Sequence, residues 1–272
     1  MRSCLFCKKT GILQTREHIV PESLGNDTDI LEGVICNSCQ NYFGRDIEKP
    51  ALEQTPIAFW RSYLGIRTKK RHLPSVNLAP PAGGAIPAFH PASDVGVGFS
   101  AHEDGSTSID VDNSVFIQRL LLQDKDEYRM VLSPWHLSIM GRFLGKMGLE
   151  YVALADLDCA FGVQFDDIRS FIRYGSTKHL WPIYWGQQGK LEDLKEPIIW
   201  DGSEGRQEIV CYRYALGKMI RSEMIFAFSI GIDLMVICLT KRFPIPDIEN
   251  CIAGIKLSCA FYPDGSWKEV QS

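Results

Sequence analysis

Apolar and polar positions change their period several times along the chain. Leu137, Met140, Leu144, Met147 and Tyr151 recur at helical spacing, which predicts an amphipathic helix. Ser133 before it is a good N-cap, and Pro134 suits the first helical position. Residues 166–174 predict a shorter helix ended by Gly175, and 52–64, with Phe59, Trp60 and Tyr63, predict another. Alternation over 96–111 predicts a hairpin around Glu103-Asp104-Gly105. Strand patterns follow at 180–185, 209–216, 224–230, 234–240 and 256–261. Five prolines and Gly83-Gly84 between Pro74 and Pro91 exclude regular structure there. The prediction is an α+β protein. Residues 1–72 form a small module with a helical extension, 73–95 a Pro/Gly-rich linker, and 96–272 a larger mixed domain with several strands.

Composition changes this picture little. The 272 residues are 45% hydrophobic and 23% charged, close to the globular average, which excludes disordered, collagen-like and coiled-coil readings. No run approaches the roughly 20 apolar residues of a membrane span. Arg2 leads straight into Cys4 and Cys7 without an apolar signal segment, so a soluble cytoplasmic protein is expected. Charge is uneven: residues 1–72 carry 11 basic and 8 acidic side chains, the remainder 18 and 25. An acidic total argues against coating nucleic acid, while a basic N-terminal part permits local phosphate contacts.

The nine cysteines fall into two groups. Cys159, Cys211, Cys238, Cys251 and Cys259 mostly have apolar neighbours and read as buried thiols. Cys4, Cys7, Cys36 and Cys39 form two Cys-x2-Cys pairs of equal spacing. Each pair supplies two thiolates from a tight knuckle, and four suit tetrahedral Zn²⁺. A redox pair is the competing reading, but no thioredoxin-like pattern surrounds these cysteines. Four sulfur ligands close the metal to water, so the site is structural. In so small a segment it supplies much of the folding energy.

Between the pairs, Thr15-Arg16-Glu17-His18-Ile19-Val20-Pro21 reads as a short strand, with Glu17 and His18 facing opposite ways. Gly33-Val34-Ile35-Cys36 reads as a second strand, and Gln40 to Glu48 as a helix. Together they predict a ββα unit clamped by zinc.

Cys-x2-Cys, then Glu-His-Ile-Val-Pro-Glu-Ser-Leu-Gly, then Val-Ile-Cys-x2-Cys-Gln-Asn-Tyr-Phe-Gly resembles the HNH endonuclease family in its zinc-ribbon ββα-metal branch. The resemblance covers about residues 1–50. It implies a nuclease in which His18 is the general base that activates water. Glu17 would ligate one catalytic Mg²⁺ or Mn²⁺, a hard cation that selects oxygen donors. Family members carry Asn or His directly after the fourth cysteine to complete that site. Here Gln40 stands there with Asn41 beside it, and either residue is a candidate ligand. The family's middle asparagine is replaced by Leu31 and Glu32. Glu48 reads as helix packing or a salt bridge.

Outside the module, Arg67, Lys69, Lys70 and Arg71 form the densest positive run and are candidate contacts to backbone phosphates. A solvated turn explains them equally well. Arg169 and Arg173 lie one helical turn apart and read as a phosphate pair or as surface ion pairs. Trp181, Tyr184 and Trp185 suit base stacking or core packing.

The leading expectation is a metal-dependent nuclease that hydrolyses DNA, with a role in defence against foreign DNA suggested by analogy. Its larger part, a protein activator or homo-oligomerisation would decide where it cuts. The alternative is a catalytically inactive zinc-bearing adaptor that binds nucleic acid or protein, and a third reading makes the larger part a small-ligand sensor.

Overall fold

The cysteine knuckles are built by short strands. β1 (Arg2–Ser3) pairs antiparallel with β2 (Thr10–Gly11), and Cys4 and Cys7 lie in the turn between them. β3 (Arg16–His18) pairs antiparallel with β4 (Ile30–Glu32), placing Glu17 opposite Leu31 and His18 opposite Ile30. The second strand therefore lies earlier than the 33–36 expected. Gly33 adopts φ +65°, a left-handed turn that ends a strand and that glycine adopts without steric cost. Its N–H is bonded to the Thr15 carbonyl.

α1 (Asn37–Phe43) continues through a π-helical turn, Gly44–Glu48, into α2 (Lys49–Gln54). The Lys49 N–H reaches back to the Gly44 carbonyl. Pro50 accounts for the wide turn: it has no N–H to give, and its ring would press on the carbonyl four residues back in a regular helix. α3 (Pro56–Tyr63) is separate. The helix expected over 52–64 is broken at Thr55, which is extended and accepts the Ile57 N–H on Oγ1. Pro56 then opens the next helix, the same N-cap and proline signal that marks Ser133-Pro134.

This computed structural model describes residues 2–26, 28–64, 66, 97–101, 107–111, 134–175, 181–187, 199–201, 207–209, 212–218, 223–231, 233–240, 257–261 and 267–269. The expected linker at 73–95 and the hairpin tip at 103–105 lie outside the described residues. The hairpin strands are present as β5 (Val97–Ala101) and β6 (Thr107–Val111), paired antiparallel.

α4 (Pro134–Ala155) is the central element. It was expected to be amphipathic, yet residues 141–150 are all buried. Three layers enclose it. A Cβ on Gly148 would lie 2.7 Å from Phe226 Cβ, so the helix lies directly against a sheet. At Gly145 it meets Ile168 and Ile172 of α6 (Asp166–Tyr174), reached through the short α5 (Leu157–Ala160). Its polar stripe faces the N-terminal module. As predicted, α6 ends at Gly175, which has φ +60° and caps onto Phe171.

The sheet uses β7 (Ile183–Gln187), β10 (Tyr212–Lys218), β11 (Met224–Ile230), β12 (Asp233–Cys238), β13 (Leu257–Phe261) and β14 (Trp267–Glu269), with β8 (Ile199–Asp201) and β9 (Gln207–Ile209) as a separate hairpin. Its order is β10-β11-β12-β7-β13-β14, antiparallel throughout. One hydrophobic core runs from Cys4, Leu5 and Phe43 through α4 to Phe226 and Leu239. Polar bonds cross the same boundary: the Trp60 indole N–H donates to Asp233 Oδ2 at 2.6 Å, and the Tyr214 hydroxyl bonds Asp29. No helix among the described residues is long and apolar enough to cross a membrane.

Candidate active site and metal centre

The four knuckle thiols meet. The Sγ atoms of Cys4, Cys7, Cys36 and Cys39 all lie within 4.8 Å of one another. A Zn–S bond of about 2.3 Å implies S···S separations of about 3.8 Å in a tetrahedron, and Cys7 to Cys36 measures 3.7 Å. The Cys36 N–H points at Cys4 Sγ, 3.3 Å away. The Cys39 thiol, followed by backbone donors, pulls the Cys4 pKa down to about 4, while sharing that hydrogen bond and burial push Cys39 up. Four sulfur donors at these separations fit Zn²⁺.

Strand β3 sends its side chains to opposite faces. Glu17 is buried and His18 half-buried. His18 Nδ1 lies 3.0 Å from the Asn26 carbonyl oxygen. A carbonyl only accepts, so Nδ1 carries the proton and neutral His18 keeps its lone pair on Nε2. Asn26 is itself fixed. Its Nδ2 donates to the carbonyls of Val20 and Asp29, and its Oδ1 accepts the N–H groups of Thr28 and Asp29. The loop that closes the ββ hairpin therefore sets the imidazole tautomer.

On the other face, Glu17 Oε1 is 2.7 Å from Lys146 Nζ, an α4 ammonium with no solvent exposure. The same ammonium lies 2.8 Å from Glu48 Oε1 and 2.9 Å from Glu150 Oε2. Burial opposes its charge, but Glu150, Glu48 and Glu17 outweigh it and hold the Lys146 pKa well above the ordinary value. Burial pushes the Glu150 pKa well up. Glu48 is thus a salt bridge, the role read for it in the sequence.

Gln40 Nε2 donates to the Arg16 carbonyl at 2.7 Å, tying α1 to β3, and Asn41 is exposed on α1. Glu17 and Gln40 offer the oxygen donors a hard divalent cation selects, yet the Glu17 carboxylate is already engaged by an ammonium. As arranged, these residues do not fit the catalytic ion. The four cysteines are the one His, Cys, Asp or Glu group among the described residues placed to hold a metal.

A second basic feature lies one turn back on α4. The Arg142 guanidinium bonds the Tyr42 hydroxyl and donates from Nε to the Ile172 carbonyl at 3.0 Å. Arg173 lies over the Tyr42 ring, 4.1 Å from its centroid. Both arginines act on the Asp46 carboxylate, whose pKa is lowered chiefly by Arg45, and Arg173 Nε is buried without a partner among the described residues. Arg169 takes the ion-pair reading of the two: it bonds Asp166, and also the Ala160 carbonyl. Trp181 is core: it stacks on Phe171 and donates to the Cys238 carbonyl. Arg67, Lys69, Lys70 and Arg71 lie outside the described residues.

Asn26, Tyr42, Arg142, Lys146 and Glu150 escaped the sequence reading. The available signal was Arg142, Lys146 and Glu150 at i, i+4 and i+8 within an otherwise apolar helix, a stripe ordinarily read as solvated.

Residues 4–56 match the HNH endonuclease family. The match takes in both cysteine pairs, the Glu17-His18 strand, α1 and α2. No curated protein and no solved structure matches the chain. The matched segment is joined to a larger part whose contacts to it, through Lys146, Arg142, Trp60 and Tyr214, are visible only in three dimensions.

Proposed function

We propose that this protein is an HNH-type endonuclease that hydrolyses DNA phosphodiester bonds, with His18 as general base. The bond from His18 Nδ1 to Asn26 carries this reading. With Nδ1–H committed to a carbonyl, Nε2 is the one ring nitrogen able to take a proton from water. The hydroxide oxygen then bonds to phosphorus, the P–O3′ bond breaks, and the 3′ oxygen leaves and takes a proton from solvent. The products are a 5′-phosphate and a 3′-hydroxyl. Zinc, held by Cys4, Cys7, Cys36 and Cys39, keeps β3 and α1 in register and takes no part in the reaction. Tyr42, Arg142 and Arg173 hold DNA phosphate beside the module, with Arg67, Lys69, Lys70 and Arg71 as further contacts. The larger part, or a protein activator, governs target choice, and defence against foreign DNA is the role that suits such a design. A plasmid nicking assay of wild type against His18→Ala tests this reading.

The engagement of Glu17 by Lys146 favours a second reading, a zinc-stapled adaptor that binds DNA without cutting it. Under that reading His18→Ala changes neither DNA binding nor plasmid integrity.

A further inference from the structure

Tyr214 of β10 is held by aromatic packing on two elements. Its ring meets Tyr151 of α4 edge-on, 4.9 Å between centroids, and stacks beside Tyr212 at 6.2 Å. From there its hydroxyl crosses to the N-terminal module and donates to Asp29 Oδ2. Burial, and then the Asp29 carboxylate, raise the Tyr214 pKa. The hydroxyl therefore keeps its proton and donates to a charged acceptor, the stronger class of hydrogen bond. Asp29 is in turn the residue on which the support of His18 is built. Its N–H bonds Asn26 Oδ1 at 3.1 Å, and its carbonyl accepts Asn26 Nδ2 at 3.2 Å. The same carbonyl takes the N–H of Ile19, the residue after His18, at 3.0 Å. Asn26 then presents its own carbonyl to His18 Nδ1. Two residues, Asp29 and Asn26, thus join Tyr214 to the imidazole, with a hydrogen bond at each junction.

We propose that Tyr214 is a positioning residue for His18: by fixing Asp29 it fixes the Asn26 carbonyl, and with it the tautomer that leaves Nε2 free. This rests on the reading of His18 as general base. Asp29 is half-buried in a turn whose Gly25 and Thr28 are exposed. The turn closes on itself through the Asn26 side chain, and the Tyr214 hydroxyl ties it to the sheet. A slight rotation of the Asn26 peptide would swing its oxygen away from Nδ1, and a hydrogen bond weakens steeply with misalignment. Tyr214 stands 185 residues from Asp29 and outside the matched segment. The larger part thereby sets the geometry of the base.

The test uses the full zinc-loaded chain without DNA, so its outcome does not depend on cleavage. NMR of protein carrying nitrogen-labelled histidine separates a ring nitrogen that bears a proton from one that bears a lone pair. His18 is assigned by the loss of its signals in His18→Ala. At a pH where the ring is neutral, wild type should show one tautomer, protonated at Nδ1. Tyr214→Phe keeps the ring and deletes the hydroxyl; its two His18 nitrogens should move toward a common, tautomer-averaged position while zinc content stays full. Asp29→Ala should do the same, and combining the two changes should add nothing. Asp29→Asn, which keeps an oxygen for the hydroxyl, should retain the wild-type pattern. Unchanged His18 nitrogens in folded Tyr214→Phe would overturn the proposal; should that variant not fold, unchanged nitrogens in Asp29→Ala would do so. Plasmid nicking reads the consequence: a rate lower by about tenfold or more at equal DNA affinity, since a small misplacement of a reacting group can cost about a hundredfold. The tautomer shift together with no nicking by wild type would overturn the nuclease reading and uphold the positioning.

Discussion

The Asn26 carbonyl accepts a hydrogen bond from His18 Nδ1 at 3.0 Å, so the loop between β3 and β4 decides which imidazole nitrogen is free. Asn26 is also the loop's own anchor, bonding Val20, Thr28 and Asp29. Asn26→Ala should cost about 1–3 kcal/mol of stability and lower cleavage while zinc content stays full. Denaturant unfolding, metal analysis and plasmid nicking on one preparation check this; unchanged stability would show that the loop is held by other means.

Zinc removal should unfold more than the knuckles. The core is continuous from Cys4 to Leu239, so a strong chelator or Cys36→Ser should melt the N-terminal module and weaken the packing of α4 with it. Tryptophan fluorescence should report this, since Trp60 bonds Asp233 across the junction. Full zinc occupancy and an unshifted melting curve in Cys36→Ser would refute the four-cysteine site.

α4 tolerates no bulk where it meets the sheet. Gly148→Ala would place a methyl group 2.7 Å from Phe226 Cβ and 2.8 Å from Leu239 Cδ2. Overpacking of a close-packed core costs about 1–3 kcal/mol, so the unfolding midpoint should fall with little change in slope. A neutral result would mean that helix and sheet separate easily.

The arginines around Tyr42 should act on DNA affinity. Arg173 lies over the ring, with the Asp46 carboxylate as the acidic group that feels its charge. Arg173→Ala should weaken binding of unrelated sequences alike and reduce the salt dependence by about one phosphate contact. Arg142→Ala should do so and also lose stability, because its Nε bonds the Ile172 carbonyl near the end of α6. Fluorescence anisotropy over a salt series measures both; an unchanged slope for Arg173→Ala would assign the pair to packing alone.

Local signals made much of the fold readable. The cysteine spacing, the Glu17-His18 strand, Pro134 at the start of α4, Gly175 at the end of α6 and the apolar run over 224–230 each act locally. The misplacements are also local: Gly33 ends its strand by its left-handed backbone, and Thr55-Pro56 divides one expected helix into two. The Lys146 cluster is different in kind. Charges four residues apart on a helix ordinarily mark a solvated face, and only contact with Glu17 and Glu48, about 100 and more residues away in the sequence, turns that face into an interface. The distance between partners in the chain hid it.

The central claim is hydrolysis of DNA with His18 as base. Supercoiled plasmid and modified phage DNA, incubated with Mg²⁺ or Mn²⁺, would be compared for wild type and His18→Ala of equal zinc content. The account predicts nicking by wild type and its loss, by at least about a hundredfold, in the variant. Equal nicking by both proteins would contradict it, and so would a wild type that binds the DNA and leaves every substrate intact.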